Sequence, residues 1–293
     1  MPRSAMRPKK KYMAARCMSN PSAFNMPAHQ DVEATLRACA DLHIMPYFQN
    51  LSANDVAHKG TNIHNKVTVA DVKAEIYLTA ELQRILPGSL VVGEEGVEDD
   101  PSLLDHLQQT ERPVWVIDPI DGTGNFVAGR PIFCVMVALV YGGHVQMGWI
   151  YDIYNDRMAH GILGQGAFLN GVRHFMDHDA PLADHLGYTS SPHAPRDFES
   201  ATVKTLRCTG HEYLNIFSGE ALFSLYRVMK PWDHLAGALL VHEAGGITKR
   251  WDRTSYSPDH NSKGLITANN EENWEIVRDI IPHSILEKYN IEP

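Results

Sequence analysis

The stretch Val114-Trp-Val-Ile-Asp-Pro-Ile-Asp-Gly-Thr-Gly-Asn-Phe126 constrains the chain more than any other. Its apolar start reads as a short buried strand that delivers Asp118 to its carboxyl end. Pro119 has no N–H to donate and is expected to end the ladder there. Asp121 follows three residues later, so two carboxylates lie close together. They repel one another, and keeping both ionised favours a divalent cation between them. Gly122-Thr123 then supplies a tight turn with free N–H groups, suited to a phosphate at the start of a helical turn. An Asx-turn with solvated acids would account for one Asp of this kind. The full string DPIDGT is too specific for that reading.

Two further acidic places strengthen the cation reading. Leu90-Val91-Val92 reads as a buried strand running into Gly93-Glu94-Glu95, where a strand–loop carboxylate reaches the same cleft. Pro231-Trp-Asp-His-Leu-Ala-Gly-Ala-Leu-Leu-Val-His-Glu-Ala-Gly-Gly246 reads as a helix opened after Pro231 and stopped by Gly245-Gly246. That places Asp233 in its first turn, where a plain N-terminal cap is the competing explanation. Ala236, Gly237 and Ala238 are small enough for this helix to lie tight against a sheet.

The rest of the body alternates. Apolar spacing predicts a helix from Asp31 to about Ala57, bent or broken near Pro46, and a second from Asp71 to Leu86, stopped by Pro87-Gly88. A short helix is expected over Pro101 to Gln109. Strands follow at Ile132 to Tyr141, Val145 to Ile153 and Arg157 to Leu163. The second half mixes strands (Leu186–Thr189, Leu222–Val228, Gly246–Arg250, Gly264–Ala268) with helices near 211–218, 232–244 and 271–280. Such a β-rich half followed by alternation argues for layered packing of helices on sheets.

Taken together, GEE, DPIDGT and WDHLAG in this order resemble the inositol monophosphatase family of magnesium-dependent, lithium-sensitive phosphatases, from about residue 30 to 285. The resemblance implies an α+β fold, a layered αβαβα sandwich of the inositol monophosphatase and fructose-1,6-bisphosphatase type. It leaves out a disordered tail over 1–29 and, divided at the Pro-, Asp- and His-rich link near 177–185, covers an N-terminal α+β lobe over 30–183 with most metal ligands and a C-terminal α/β lobe over 184–293 with Asp233 and the substrate pocket. It implies two or three Mg2+ ions on Glu94, Asp118, the Ile120 carbonyl, Asp121 and Asp233. Glu94 and Thr123 orient the attacking water, and Asp71, which closes Lys66-Val-Thr-Val-Ala-Asp71, partners Thr123. Gly122 and Thr123 amides take phosphoryl oxygens, and Asp233 faces the alcohol; this chain's own Glu212 is expected to join it by pointing into the pocket. Lys59 matches a basic residue near the cleft. The implied activity is hydrolysis of a small phosphorylated alcohol or sugar by a homodimer.

Departures from the pattern bear on the substrate. Tyr226 stands seven residues before Asp233, where inositol-specific relatives commonly carry an acid for ring hydroxyls. Arg207-Cys-Thr-Gly-His-Glu-Tyr213 fills a region where small residues are common, so His211 and Glu212 are expected to make the pocket bulkier and more polar. Histidinol-phosphate, fructose-bisphosphate and nucleotide 3′-phosphate substrates therefore remain alternatives, as does a non-catalytic metal- or phosphate-binding regulator. The haloacid dehalogenase pattern, with one residue between its two Asp, does not fit the two residues between Asp118 and Asp121.

Composition narrows the partners. At 293 residues, 44% hydrophobic and 21% charged, the chain suits one large domain or two modest lobes. The apolar run Ile132 to Tyr141 is about half the ~20 residues of a membrane span. The net charge of −9 argues against a nucleic-acid surface, since six basic and no acidic residues fall in the first sixteen and leave an acidic body. That acid-free leader reads as a disordered tail, with an organelle transit peptide or an upstream mis-start as alternatives. A cytoplasmic protein is expected. Cys17, Cys39, Cys134 and Cys208 form no CxxC pair and read as reduced, buried thiols. His174 and His178 fall in a Pro- and Asp-rich loop, away from the helix that a zinc pair of that spacing needs.

Overall fold

The computed structural model describes residues 25–58, 66–182, 186–189, 197–198, 201–259 and 264–292. The expected tail over 1–29 lies outside them, except for its last five residues. Lys59 is also outside them.

Two helices begin the fold, α1 (His29–Cys39) and α2 (Val69–Ile85). The first is shorter than its apolar spacing predicts. The chain widens into a π-turn at Ala40–Ile44 and one tight turn at Met45–Tyr47, and Phe48 is already extended. Pro46, which has no N–H to donate, sits where regular i→i−4 bonding stops. A short ribbon of β1 (Val56–His58) and β2 (Lys66–Thr68) leads into α2, which Thr68 caps.

The main sheet has seven strands in chain order: β3 (Leu90–Gly93), β4 (Val114–Asp121), β5 (Cys134–Tyr141), β6 (His144–Asp152), β7 (Arg157–Ile162), β8 (Gly166–Leu169) and β9 (Val172–His174). β3 and β4 are parallel and the remaining pairs antiparallel. The short helix α3 (Glu94–Asp99) follows β3, and α4 (Thr123–Val127) follows β4. The expected helix after α3 is a 3-10 run over Pro101–Leu107.

Strand alternation sorts the sheet residues between two cores. Trp115, Ile117, Val135, Val137 and Trp149 meet Leu36, Ala74 and Leu78 of α1 and α2 on one face. Val114, Val116, Met136, Ala138 and Ile150 face the other way, onto α5 (Thr209–Ser218) and α6 (Pro231–Glu243). Truncating a side chain like Trp149, which is fully buried, to Ala would cost roughly 3–5 kcal/mol.

Beyond α5 and α6 lies a six-stranded sheet. Its order is β11 (Asp197–Phe198), β12 (Ala201–Lys204), β10 (Leu186–Thr189), β13 (Phe223–Tyr226), β15 (Leu265–Ala268) and β14 (Ile247–Arg250). Its outer face is covered by α7 (Glu271–Asp279) and α8 (His283–Lys288), which bury Trp274, Val277 and Leu286 against Phe223, Ile266 and Trp251. The layers therefore run helix, sheet, helix, sheet, helix. The architecture is the expected α+β αβαβα sandwich. No described helix is long and apolar enough to cross a membrane.

Candidate active site

The site begins with an irregularity in β4. Asp118 pairs with Met136 of β5, and Asp121 pairs with Cys134, so three steps along β4 match two along β5. In a regular strand, residues three apart point to opposite faces. The extra residue of this bulge restores the alternation, and both Asp side chains turn to the α5/α6 face. The bulge also gives Pro119 a place outside the regular ladder. The strand therefore does not end at Asp118 as Pro119 predicted: pairing resumes at Asp121.

After Asp121 the chain turns on Gly122, at φ 91°, in the left-handed region. A Cβ there would also lie 2.8 Å from the Ile132 carbonyl oxygen. Glycine is required on both counts. Thr123 opens α4, and its hydroxyl lies 2.9 Å from the Ile120 carbonyl oxygen and 3.1 Å from Asp71 Oδ1. A hydroxyl has one proton, so it donates fully to one of these at a time. Asp71 is fixed independently, because its Oδ2 accepts the Thr68 N–H at 2.8 Å in the capping box of α2.

Glu94 is not on a loop; it begins α3. That turn is anchored from below by Glu75 of α2, whose carboxylate accepts the N–H groups of Glu95 at 2.8 Å and Gly96 at 2.7 Å. A Cβ on Gly93 would fall 2.3 Å from the Glu75 carboxyl carbon. The glycine of GEE thus lets a buried carboxylate hold the turn that carries Glu94. Asp233, in the first turn of α6, faces the same cleft from the other side, close enough for the Asp118 and Asp233 carboxyls to act on one another.

Four acids are thereby crowded together. Burial, then Glu94, Asp121 and Asp233, push the Asp118 carboxyl well above the usual carboxylate range. Burial, Asp121 and Glu94 do the same to Asp233, and Lys230 offsets only part of it. Asp121 Oδ2 is already engaged by the Gly210 N–H at 2.5 Å and the Cys208 thiol at 3.2 Å. A set of hard oxygen donors whose mutual repulsion Lys230 relieves only in part fits a divalent cation such as Mg2+.

A cavity of about 400 Å3 adjoins the acids, lined by Thr205, Arg207, Cys208, Thr209, Glu212, Tyr226, Val228, Asp233 and His234. Here the structure departs from two expectations. His211 does not enter the pocket: its Nε2 lies 3.2 Å from the Phe133 carbonyl oxygen and 3.4 Å from Asp152 Oδ1. Glu212 lines the wall but turns its carboxylate inward, where it accepts the Thr205 hydroxyl at 2.9 Å, the Leu206 N–H at 2.7 Å and the Tyr226 hydroxyl. A direct Glu212 contact to substrate is therefore replaced by a buried Glu212–Tyr226 pair. Burial raises the Glu212 carboxyl against these three donors, and burial raises the Tyr226 hydroxyl. Gly237, expected against the sheet, instead meets the Tyr213 ring of α5; the close sheet contact is Ala236 on Gly148.

Asn125, Glu75 and Gly210 were not distinguished by sequence reasoning. The buried Asn125 amide reaches the carbonyls of Ile132 at 2.9 Å and Leu206 at 2.9 Å, tying the DGT turn to the pocket wall. Its only signal is its place inside DGTGN. Cys134 and Cys208, far apart in sequence, come 3.9 Å apart behind Asp121 as buried free thiols, and burial pushes Cys134 up to about 12. Cys39 is also buried and free, and Cys17 lies outside the described residues. His174 ends β9 rather than lying in a loop, and His178 faces the Asn269 carbonyl at 3.0 Å.

Residues 30–284 match the inositol monophosphatase family. The chain is 30% identical over 231 residues to the fructose-1,6-bisphosphatase/inositol-1-monophosphatase of Thermotoga maritima, covering 76% of this chain and 86% of that protein. It is 31% identical over 221 residues to inositol monophosphatase 1 of Bos taurus, covering 70% and 77%. Among solved structures, the Thermotoga maritima IMPase superposes with a TM-score of 0.72 at 26% identity, over 89% of this chain and 99% of that one.

Proposed function

The chain belongs to the inositol monophosphatase family, and from that premise we propose that it hydrolyses a small phosphate monoester with Mg2+ at the β4 bulge. The observation that carries this reading is the convergence of Asp118 and Asp121 with Glu94 and Asp233 beside a cavity of small-molecule size. Glu94, Asp118, the Ile120 carbonyl, Asp121 and Asp233 would hold two or three ions. When bound, magnesium makes water a better nucleophile at neutral pH and offsets charge on the phosphoryl and leaving oxygens. The Thr123 hydroxyl donates its hydrogen bond to Asp71, which leaves a lone pair of the Thr123 oxygen to accept from a water that Glu94 also orients. The Gly122 and Thr123 amides bind phosphoryl oxygens. Asp233 faces the alcohol and positions the group that protonates it. In this reading the 30–183 lobe supplies most ligands, and the 184–293 lobe supplies Asp233 and the pocket.

Substrate choice follows from the buried Glu212–Tyr226 pair. No carboxylate reaches the cavity from position 226, so one charge-assisted bond to an inositol ring is missing, worth roughly 1.5–3 kcal/mol. Inositol monophosphate should be accepted without strong preference. Arg207, held at φ 56° on the pocket wall, favours a second reading: an ester with another anionic group, as in a sugar bisphosphate. Lithium sensitivity, a homodimer and a cytoplasmic location belong to the same proposal. Phosphate release from inositol 1-phosphate, histidinol phosphate, fructose 1,6-bisphosphate and a nucleoside 3′-phosphate, with and without Mg2+ and with millimolar Li+, tests it. Mg2+-dependent release from at least two of these esters is expected. Release from none contradicts the reading, and a preference for inositol phosphate beyond about a hundredfold contradicts its substrate half.

A further inference from the structure

A second cluster of ligating side chains lies on the other face of the main sheet, three strands from Asp118. His29 and Glu33 stand four residues apart on α1 and so share one helix face. His160 projects from β7, whose residue pairs with Trp149 on the α1/α2 side. The strand spacing puts it about 14 Å across the sheet from β4. Nothing in the catalytic proposal uses these three residues.

Their ligand atoms lie within 4.8 Å of one another. Glu33 Oε1 lies 3.1 Å from His29 Nδ1 and 2.8 Å from His160 Nδ1. The two imidazoles stack with centroids 4.1 Å apart and planes inclined by 20°. His160 is 3% exposed, and its Nδ1 makes no well-directed hydrogen bond, although Glu33 Oε1 lies within ion-pair distance. A buried nitrogen without a well-directed hydrogen bond costs free energy, which a bound ion would recover. The Phe168 ring stacks on His160 at 5.0 Å and 17°, which helps fix the ring's orientation.

We propose that His29 Nδ1, Glu33 Oε1 and His160 Nδ1 form a binding site for a zinc-type divalent transition ion, separate from the Mg2+ cleft. Two imidazoles and one carboxylate select borderline ions such as Zn2+ over Mg2+, which prefers oxygen. With bonds of about 2.0–2.1 Å, ligand atoms around one tetrahedral Zn2+ stand roughly 3.3–3.4 Å apart, so Glu33 Oε1, at 3.1 and 2.8 Å from the two imidazole nitrogens, need open only slightly, while the part-exposed His29 ring turns out of the stack to bring its Nδ1 onto the ion. Three protein ligands leave one position for water. The side chains of His29 and Glu33 are 28% and 24% exposed, so solvent reaches the site. The ion would clip the first turn of α1, whose N-cap Ala28 offers no side-chain cap, to β7.

Equilibrium dialysis of the chelator-treated full chain with Zn2+, in the presence of millimolar Mg2+ and at neutral pH, tests the site. One zinc per chain is expected, weakened about tenfold or more in His29→Ala and in Glu33→Gln. Both positions are partly exposed, so the variants should fold, and thermal unfolding without zinc checks this. X-ray absorption of the zinc-loaded wild type should show two imidazole ligands and no sulfur. Absence of bound zinc, unchanged binding in both variants, or sulfur ligation at Cys134 and Cys208 would each overturn the assignment. Phosphatase activity does not enter the readout, so failure here leaves the catalytic reading untouched.

Discussion

At the scale of single residues, the site depends on side chains whose partners are distant in sequence. Asn125 spans to Leu206, and Glu212 reaches Tyr226. Asn125→Ala leaves buried carbonyls without a donor and should cost about 1–3 kcal/mol. The same change frees the pocket wall, so KM should rise more than kcat falls. Denaturant unfolding and steady-state kinetics on one ester measure both. Tyr226→Phe removes a donor from a buried carboxylate while keeping the ring. It is expected to change kcat/KM ratios between esters with little effect on Mg2+ dependence; an equal loss on every ester would show that the pair only supports the scaffold. Asp118, Asp121 and Asp233 were legible in the sequence because each sits in a short local pattern. Glu75, Asn125 and the inward turn of Glu212 were not, since a hydrogen bond across tens of residues leaves no periodicity to read.

At the scale of elements, most strands and helices were legible from spacing and turn residues. The buried runs at Val114, Cys134 and His144 and the Pro231–Glu243 helix lie within a few residues of where they were expected. The bulge was not, because Pro119 reads equally as a strand end, and only the partner strand shows that pairing resumes. The first helix was overextended because apolar spacing continues past Pro46 while regular bonding does not. The strands at Gly166–Leu169 and Val172–His174 are short and Gly-bounded, and local patterning says little about them. Gly93→Ala tests how an element aims a ligand. Its Cβ collides with the Glu75 carboxyl, so Glu94 should shift and activity fall at least tenfold in a folded protein. Circular dichroism and turnover together check it.

One buried histidine sets a pH response on α6. Burial holds His234 down to about 4, with its ring between the Tyr213 hydroxyl and the Val228 carbonyl. The unfolded imidazole takes its proton near 6.5, so between about pH 6.5 and 4 the unfolded state binds more protons. Stability should therefore fall as pH falls through that window, by up to about 3 kcal/mol from this group. Denaturant midpoints for wild type and His234→Asn across that range give the contribution. Parallel curves for the two would refute it.

At the scale of the whole molecule, the central helix layer joins two sheets, and α6 carries Asp233 into the acids of the first. Residues 30–284 match one family, and the five layers follow its architecture. The assembled carboxylates repel, so cation binding should couple to global stability. Saturating Mg2+ at a hundredfold excess over its dissociation constant should add about 2.7 kcal/mol. Burial and neighbouring acids raise the Asp118 and Asp233 carboxyls, so protons compete with Mg2+ more as pH falls, and the gain in Tm should be larger at pH 8 than at pH 6. Calorimetry at both pH values is the check, and a larger gain at pH 6 would reverse the electrostatic picture.

The bulge's two carboxylates acting together through a cation is the central claim, and Asp118→Asn reaches it most directly. The substitution keeps the shape and removes one charge. Phosphate release from the best ester is measured over a range of Mg2+ concentrations for wild type and variant, with folding verified. A loss of about a hundredfold or more that added Mg2+ does not restore is the predicted result. Turnover above about a tenth of wild type, or activity independent of Mg2+ in both proteins, would contradict the account.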